Sequence, residues 1–140
     1  MQTEMNYTIH EQLNLIELRP VGEVNVADIC AYGYKILDQG IMRDGTIEYV
    51  DMSDVTGLTV SYASAQDIVG FLNRWISAGW FGSVYYTPKD SQFGIVRMVR
   101  AIVECIPNSP TGMMVPCRKP IPLEEVRDLI KQHIGAPLDR

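Results

Sequence analysis

Apolar positions along this chain switch repeatedly between the two-residue period of a strand and the longer period of a helix. In Tyr7–Leu18 (YTIHEQLNLIEL), β-branched and aromatic residues alternate in part with polar ones, and Gln12 to Asn14 can turn the chain; a hairpin is predicted. Pro20 and Gly22 then break the run. Asn25 suits an N-cap, with Asp28 three residues on, and Ile29, Gly33, Ile36 and Leu37 form a helical stripe from about Val26 to Gln39, stopped by Gly40. The nearly continuous run Thr46–Met52 predicts a central buried strand. A second helix opens at Ser64 and Asp67, carries Ile68, Phe71, Leu72, Trp75 and Ile76 on one face, and ends at Gly79. Gly82–Tyr86 reads as a strand closed by Pro88. Asp90 or Ser91 then caps a third helix bearing Ile95, Met98, Val99, Ile102 and Val103, which must end before Pro107. Thr111–Val115, between Pro110 and Pro116, is a short last strand. A fourth helix follows Pro122, with Glu124 and Glu125 at its positive end and Gly135 as its stop.

The predicted order is β-β-α-β-α-β-α-β-α in a single α/β domain covering residues 1–140. After the opening hairpin, alternation implies parallel strands with right-handed crossovers, hence a mixed sheet with helices mainly on one face.

Composition narrows the function classes. The 140 residues can bury one core, and 46% apolar with 21% charged is ordinary for a globular chain. A net charge of −5 argues against nucleic acid, whose phosphates call for clustered Lys and Arg, and against an anionic membrane surface. No stretch approaches the roughly 20 apolar residues of a membrane span, and the polar MQTEMNYTIHEQ start does not read as a targeting signal. Cys30, Cys105 and Cys117, odd in number and without CxxC spacing, fit reduced thiols and a cytoplasmic setting. His10 and His133 lie far from each other and from any Cys pair, so no metal site and no cofactor are expected. The chain contains no GxSxG, HExxH, P-loop or GxGxxG motif, and a binding role is expected in place of catalysis.

Three short runs carry a resemblance: Gly22-Glu23-Val24-Asn25, then Tyr49-Val50-Asp51-Met52-Ser53-Asp54-Val55, then Phe93-Gly94-Ile95-Val96-Arg97-Met98-Val99-Arg100. With the element order, they resemble the STAS superfamily over about residues 7 to 134, and within it the SpoIIAA-like branch, whose fold relates to lipid-binding domains. The resemblance implies a regulatory module, or a lipophilic or small-ligand role. Antagonists of the founding type carry an Asp-Ser-Ser-Gly-Leu segment whose first Ser accepts phosphate. With Asp51 as anchor, that segment falls here on Thr59-Val60-Ser61-Tyr62-Ala63, which places Val60 at the acceptor position. A one-residue slip would bring in Ser61.

Three regions are candidates for binding. The segment Thr56–Ser64, read as a loop with Thr59, Ser61, Tyr62 and Ser64, leads into a helix N-terminus that would favour an anion or a phosphoserine; alternatively its hydroxyls only cap and turn. Lys89, Arg97 and Arg100 would make a basic spot, or a solvated helix face in which Arg100 pairs with Glu104. Trp75, Trp80, Phe81 and Phe93, with Ile68, Leu72, Ile95 and Met98, would line an apolar cleft between helices two and three, or simply form core. A protein partner and a small lipophilic ligand are both open, and an exposed Trp80-Phe81 pair would give a homodimer its interface.

Overall fold

A computed structural model describes residues 3–107 and 111–134. Strands β1 (Glu4–His10) and β2 (Leu15–Asn25) form the predicted hairpin. Between them lies a 3-10 turn, Glu11–Leu13, with Asn14 in the left-handed region. Helix α1 (Val26–Asp38) starts on the Asn25–Asp28 capping box, each side chain accepting from the other's backbone N–H at 3.0 Å. Then come β3 (Ile47–Asp51), β4 (Val55–Thr59), α2 (Ala65–Ala78), β5 (Gly82–Tyr86), α3 (Asp90–Val103), β6 (Met114–Cys117) and α4 (Val126–His133). The main sheet runs β1-β2-β3-β5-β6, with β1 antiparallel to β2 and the other neighbours parallel. The fold is therefore α/β with a mixed sheet, as the alternation predicts.

Three departures from the sequence reading have physical causes. First, β2 does not stop at Pro20. It pairs with β3 through Leu18, then leaves it and pairs with β4 from Gly22 onward. Pro20, which has no N–H to give, stands at this handover, where neither parallel partner requires one. Gly22, at φ 88°, takes the bend and donates to the Asp54 carbonyl at 3.0 Å. Second, the front of the expected loop Thr56–Ser64 is the strand β4. Its Val55, Thr56 and Thr59 are β-branched, and β2's second half offers it a free edge. Third, β6 continues through Pro116, which an edge strand tolerates. Pro110 and Gly135, expected to bound β6 and α4, lie outside the described residues.

Side-chain alternation in the sheet separates two cores. Leu15, Ile47, Tyr49, Val84 and Val115 face α4, which contributes Val126 and Ile130. Ile16, Leu18, Val50, Tyr85 and Met114 face the other way, beneath α1, α2 and α3. Among the described residues, three of the four α-helices thus share one face. There α1 and α2 approach closely at Gly33, where a Cβ would run into the Phe71 ring.

Candidate functional site

The face under α1–α3 is not fully filled. A cavity of about 90 Å³ remains between the sheet and these helices. That is room for several waters or a short organic chain, since one water requires only roughly 10–15 Å³. The sheet contributes Leu18, Val50, Tyr85 and Met114, α1 contributes Tyr32, and α2 contributes Ile68, Phe71, Leu72 and Trp75. Half-buried Met5, Ile29, Leu58, Val60 and Ile95 form its outer rim. β4 thus helps build the mouth, and the β2 handover at Pro20 gives it the edge to do so.

One lining residue breaks the apolar pattern. Glu48, 3% exposed, is the only charged side chain among the described residues that line the cavity. It sits between Ile47 and Tyr49 on β3, and the strand's alternation turns it toward the helices. Tyr32 donates its hydroxyl to one carboxyl oxygen at 2.6 Å, and Ser83 donates to the other at 2.7 Å. Ser83 in turn accepts from the Trp80 indole N–H at 3.0 Å. Burial raises the Glu48 pKa to about 7, while the Tyr32 and Ser83 hydrogen bonds act in the opposite direction. Tyr32 and Tyr85 are themselves pushed well up, first by burial and next by the neighbouring carboxyl.

Aromatic rings complete the wall. Trp75 meets Tyr32, Phe71 and Trp80 edge-to-face at centroid distances of 6.0, 5.3 and 5.7 Å. Its indole N–H is satisfied by the Gly33 carbonyl at 2.9 Å, so the ring is held between α1 and α2. The arrangement can hold a small apolar body against aromatic faces, with one polar group meeting a carboxyl at the sheet. No family model, curated protein or solved structure matches this chain.

The predicted site residues scatter around this centre. Trp75 lines the cavity, together with Ile68, Leu72 and Ile95 from the expected cleft, which is bounded by the sheet and α1 as well as by α2 and α3. Trp80 is 3% exposed, and its indole belongs to the Glu48 network. Phe81 lies in the opposite core beside α4, with the Arg127 guanidinium 5.9 Å from its ring. The expected exposed Trp80-Phe81 patch is thus absent, because strand alternation beyond Gly79 sends the two rings to opposite faces. Phe93 is drawn away too, lying between Arg97 and Arg118 at 6.0 and 5.6 Å.

The expected basic spot disperses likewise. Lys89 reaches the Val55 carbonyl at 3.2 Å, and Arg100 is buried against Glu104 at 2.9 Å. Arg97 stays exposed beside Phe93. α3 begins at Asp90, with Lys89 as the cap residue and its N–H bound by the Gln92 side chain.

Ser61 and Ser64 bond each other: the Ser64 N–H donates to Ser61 Oγ at 3.0 Å and the Ser61 N–H to Ser64 Oγ at 2.9 Å. Ser64 is the N-cap position of α2, as expected, but its hydroxyl is engaged with Ser61 and makes no side-chain bond into the helix. Thr59 ends β4, and Tyr62, 68% exposed, stands on an outer groove with Val69, Met98 and Ile102. His10 pairs with Glu17 at 2.8 Å, while His133 Nδ1 lies 2.9 Å from the Leu129 carbonyl oxygen.

Glu48 and Tyr32 were not singled out by the sequence reading. The available signal was an acid between Ile47 and Tyr49, in the middle of Thr46–Met52, a run expected to be buried on both faces. A charge there has to be partnered or functional.

Proposed function

We propose that this chain is a non-enzymatic, STAS-like binding module that encloses a small lipophilic molecule between its sheet and helices α1–α3. The observation that carries this reading is the cavity itself: apolar and aromatic walls around one buried carboxyl, with a half-buried apolar rim. Apart from the additional strand β4, the element order is the one the STAS resemblance implies, which favours a regulatory use of the bound molecule. Binding would act by moving α2 against α1 and α3, since α2 supplies Ile68, Phe71, Leu72 and Trp75 to the wall. Organic extraction and native mass spectrometry of the purified protein test the reading. An apolar molecule that co-purifies with the wild type and is lost in Leu72→Trp, which fills the cavity, supports it. Absence of any such molecule, with no uptake of added hexanol or toluene, defeats it.

A second reading rests on the outer groove between α2 and α3. There Tyr62, Val69, Met98, Ile102 and Ile106 expose apolar surface, and a protein partner would dock on them. Tyr62→Ala would weaken such a partner while leaving uptake into the cavity unchanged. Affinity measured for both in the same variant separates the two readings.

A further inference from the structure

Glu48 is an acid without a matching base. Tyr32 and Ser83 occupy one site on each carboxyl oxygen, whereas an ionised carboxylate offers about four acceptor positions. Among the described residues lining the cavity there is no Lys, Arg or His. The groups facing the carboxyl are Tyr32 from α1, Ser83 and Tyr85 from β5, and, through Ser83, Trp80 from the α2–β5 connection. All are neutral. A buried carboxylate without a counter-charge is costly, and the cost falls when a cation takes the open acceptor positions. The neighbouring walls favour the same charge, because Tyr32, Phe71, Trp75 and Tyr85 present four aromatic rings to the cavity, and ring faces attract cations.

We infer that the cavity selects a small lipophilic primary amine, its ammonium meeting Glu48 and its alkyl or aryl body lying among the aromatic rings. This rests on the reading of the cavity as a lipophilic site and names the class of molecule it takes. A hydroxyl in the same place would make one neutral-donor hydrogen bond, while an ammonium makes a charge-assisted one and supplies the missing positive charge. A carboxylic acid would set a second negative charge beside the first. When the ammonium arrives at the protonated carboxyl, the Glu48 O–H bond breaks, its electron pair stays on the carboxylate, and the proton leaves to solvent. Amine uptake therefore releases a proton at pH values below the raised Glu48 pKa, and alcohol uptake does not.

Calorimetric titration of the full chain with hexylamine, hexanol and hexanoate tests the inference. The wild type is expected to bind hexylamine at least about tenfold more tightly than hexanol, and hexanoate most weakly. Glu48→Gln is expected to lose the amine preference and keep hexanol. Repeating the wild-type titration at about pH 6 in buffers of different ionisation enthalpy is expected to show release of about one proton per hexylamine and none per hexanol. That measurement stands even if the variant fails to fold. Hexanol binding with no amine preference and no proton release overturns the amine inference and leaves the lipophilic site standing. Failure of all three molecules to bind overturns both.

Discussion

The two faces of the sheet are built from the same strands and differ in what they enclose. On the α4 side, Leu15, Ile47, Tyr49, Val84, Val115, Val126 and Ile130 form a cluster of buried hydrophobic residues. Its polar atoms sit at the edges: the Tyr49 hydroxyl accepts from the Ile121 N–H at 3.4 Å, and Arg127 ties α4 to the carbonyls of Leu13 and Gly45. On the α1–α3 side, the larger core keeps a cavity and places Glu48 against it. Apolar packing suffices to hold a helix on a sheet, as the α4 face demonstrates. The unfilled space and the buried acid on the other face are not needed to hold helices on the sheet, and at neutral pH the acid costs stability, which is the reason to read them as a site.

The largest expected effect that would sharpen this contrast comes from Trp75→Ala. It removes three ring contacts and the bond to Gly33, and should cost about 3–5 kcal/mol in denaturant unfolding. Ile130→Ala on the α4 face should cost about 2–5 kcal/mol and leave ligand uptake unchanged. A change in uptake in that variant would break the separation of the two faces.

Titration of Glu48 comes next. Its folded pKa, about 7, lies above the 4.5 of an unperturbed glutamate, so the folded state holds a proton that the unfolded chain has released. The stability this group contributes is full below about pH 4.5 and is lost as pH rises through about 7, a loss on the order of 3 kcal/mol. Unfolding free energies of wild type and Glu48→Gln across that window should converge toward low pH and separate in the variant's favour toward neutrality. Parallel curves would mean the carboxyl is better compensated than its burial indicates.

Smaller still is Gly33→Ala, which forces a methyl group into the Phe71 ring and should destabilise by about 1–3 kcal/mol while altering the cavity wall. Ser61→Ala should cost about 1 kcal/mol through loss of its hydroxyl's bonds to Ser64 in the turn before α2, with cavity binding intact. A loss of ligand uptake in that variant would instead give the serine pair a functional part.

Much of this architecture was legible in the chain. The Asn25–Asp28 box, the Ile68–Trp75 face and the Gly79 stop, where φ is 113°, are local signals, and α1 and α2 sit where those signals place them. β4 was not legible because Val55–Thr59 is short and interrupted by Gly57, and what makes it a strand is the edge of β2, more than thirty residues earlier in the chain. The site was less legible than the fold. Trp75, Ile68, Leu72 and Ile95 stand out by helical spacing, and the structure brings them to the cavity. Glu48 meets Tyr32 and Ser83 only once β3, α1 and β5 are assembled, and no spacing encodes that meeting. Phe81 shows the converse: its neighbour Trp80 suggested a shared patch, and a single step along an extended chain parted them.

Methyl-resolved NMR of the isotope-labelled chain, titrated with hexylamine, tests the contrast between the faces most directly. Shifts should concentrate on Leu18, Val50, Val55, Ile68, Leu72 and Val99, with Val84, Val126 and Ile130 unmoved. Equal shifts on both faces, or none on the first set, would contradict the account.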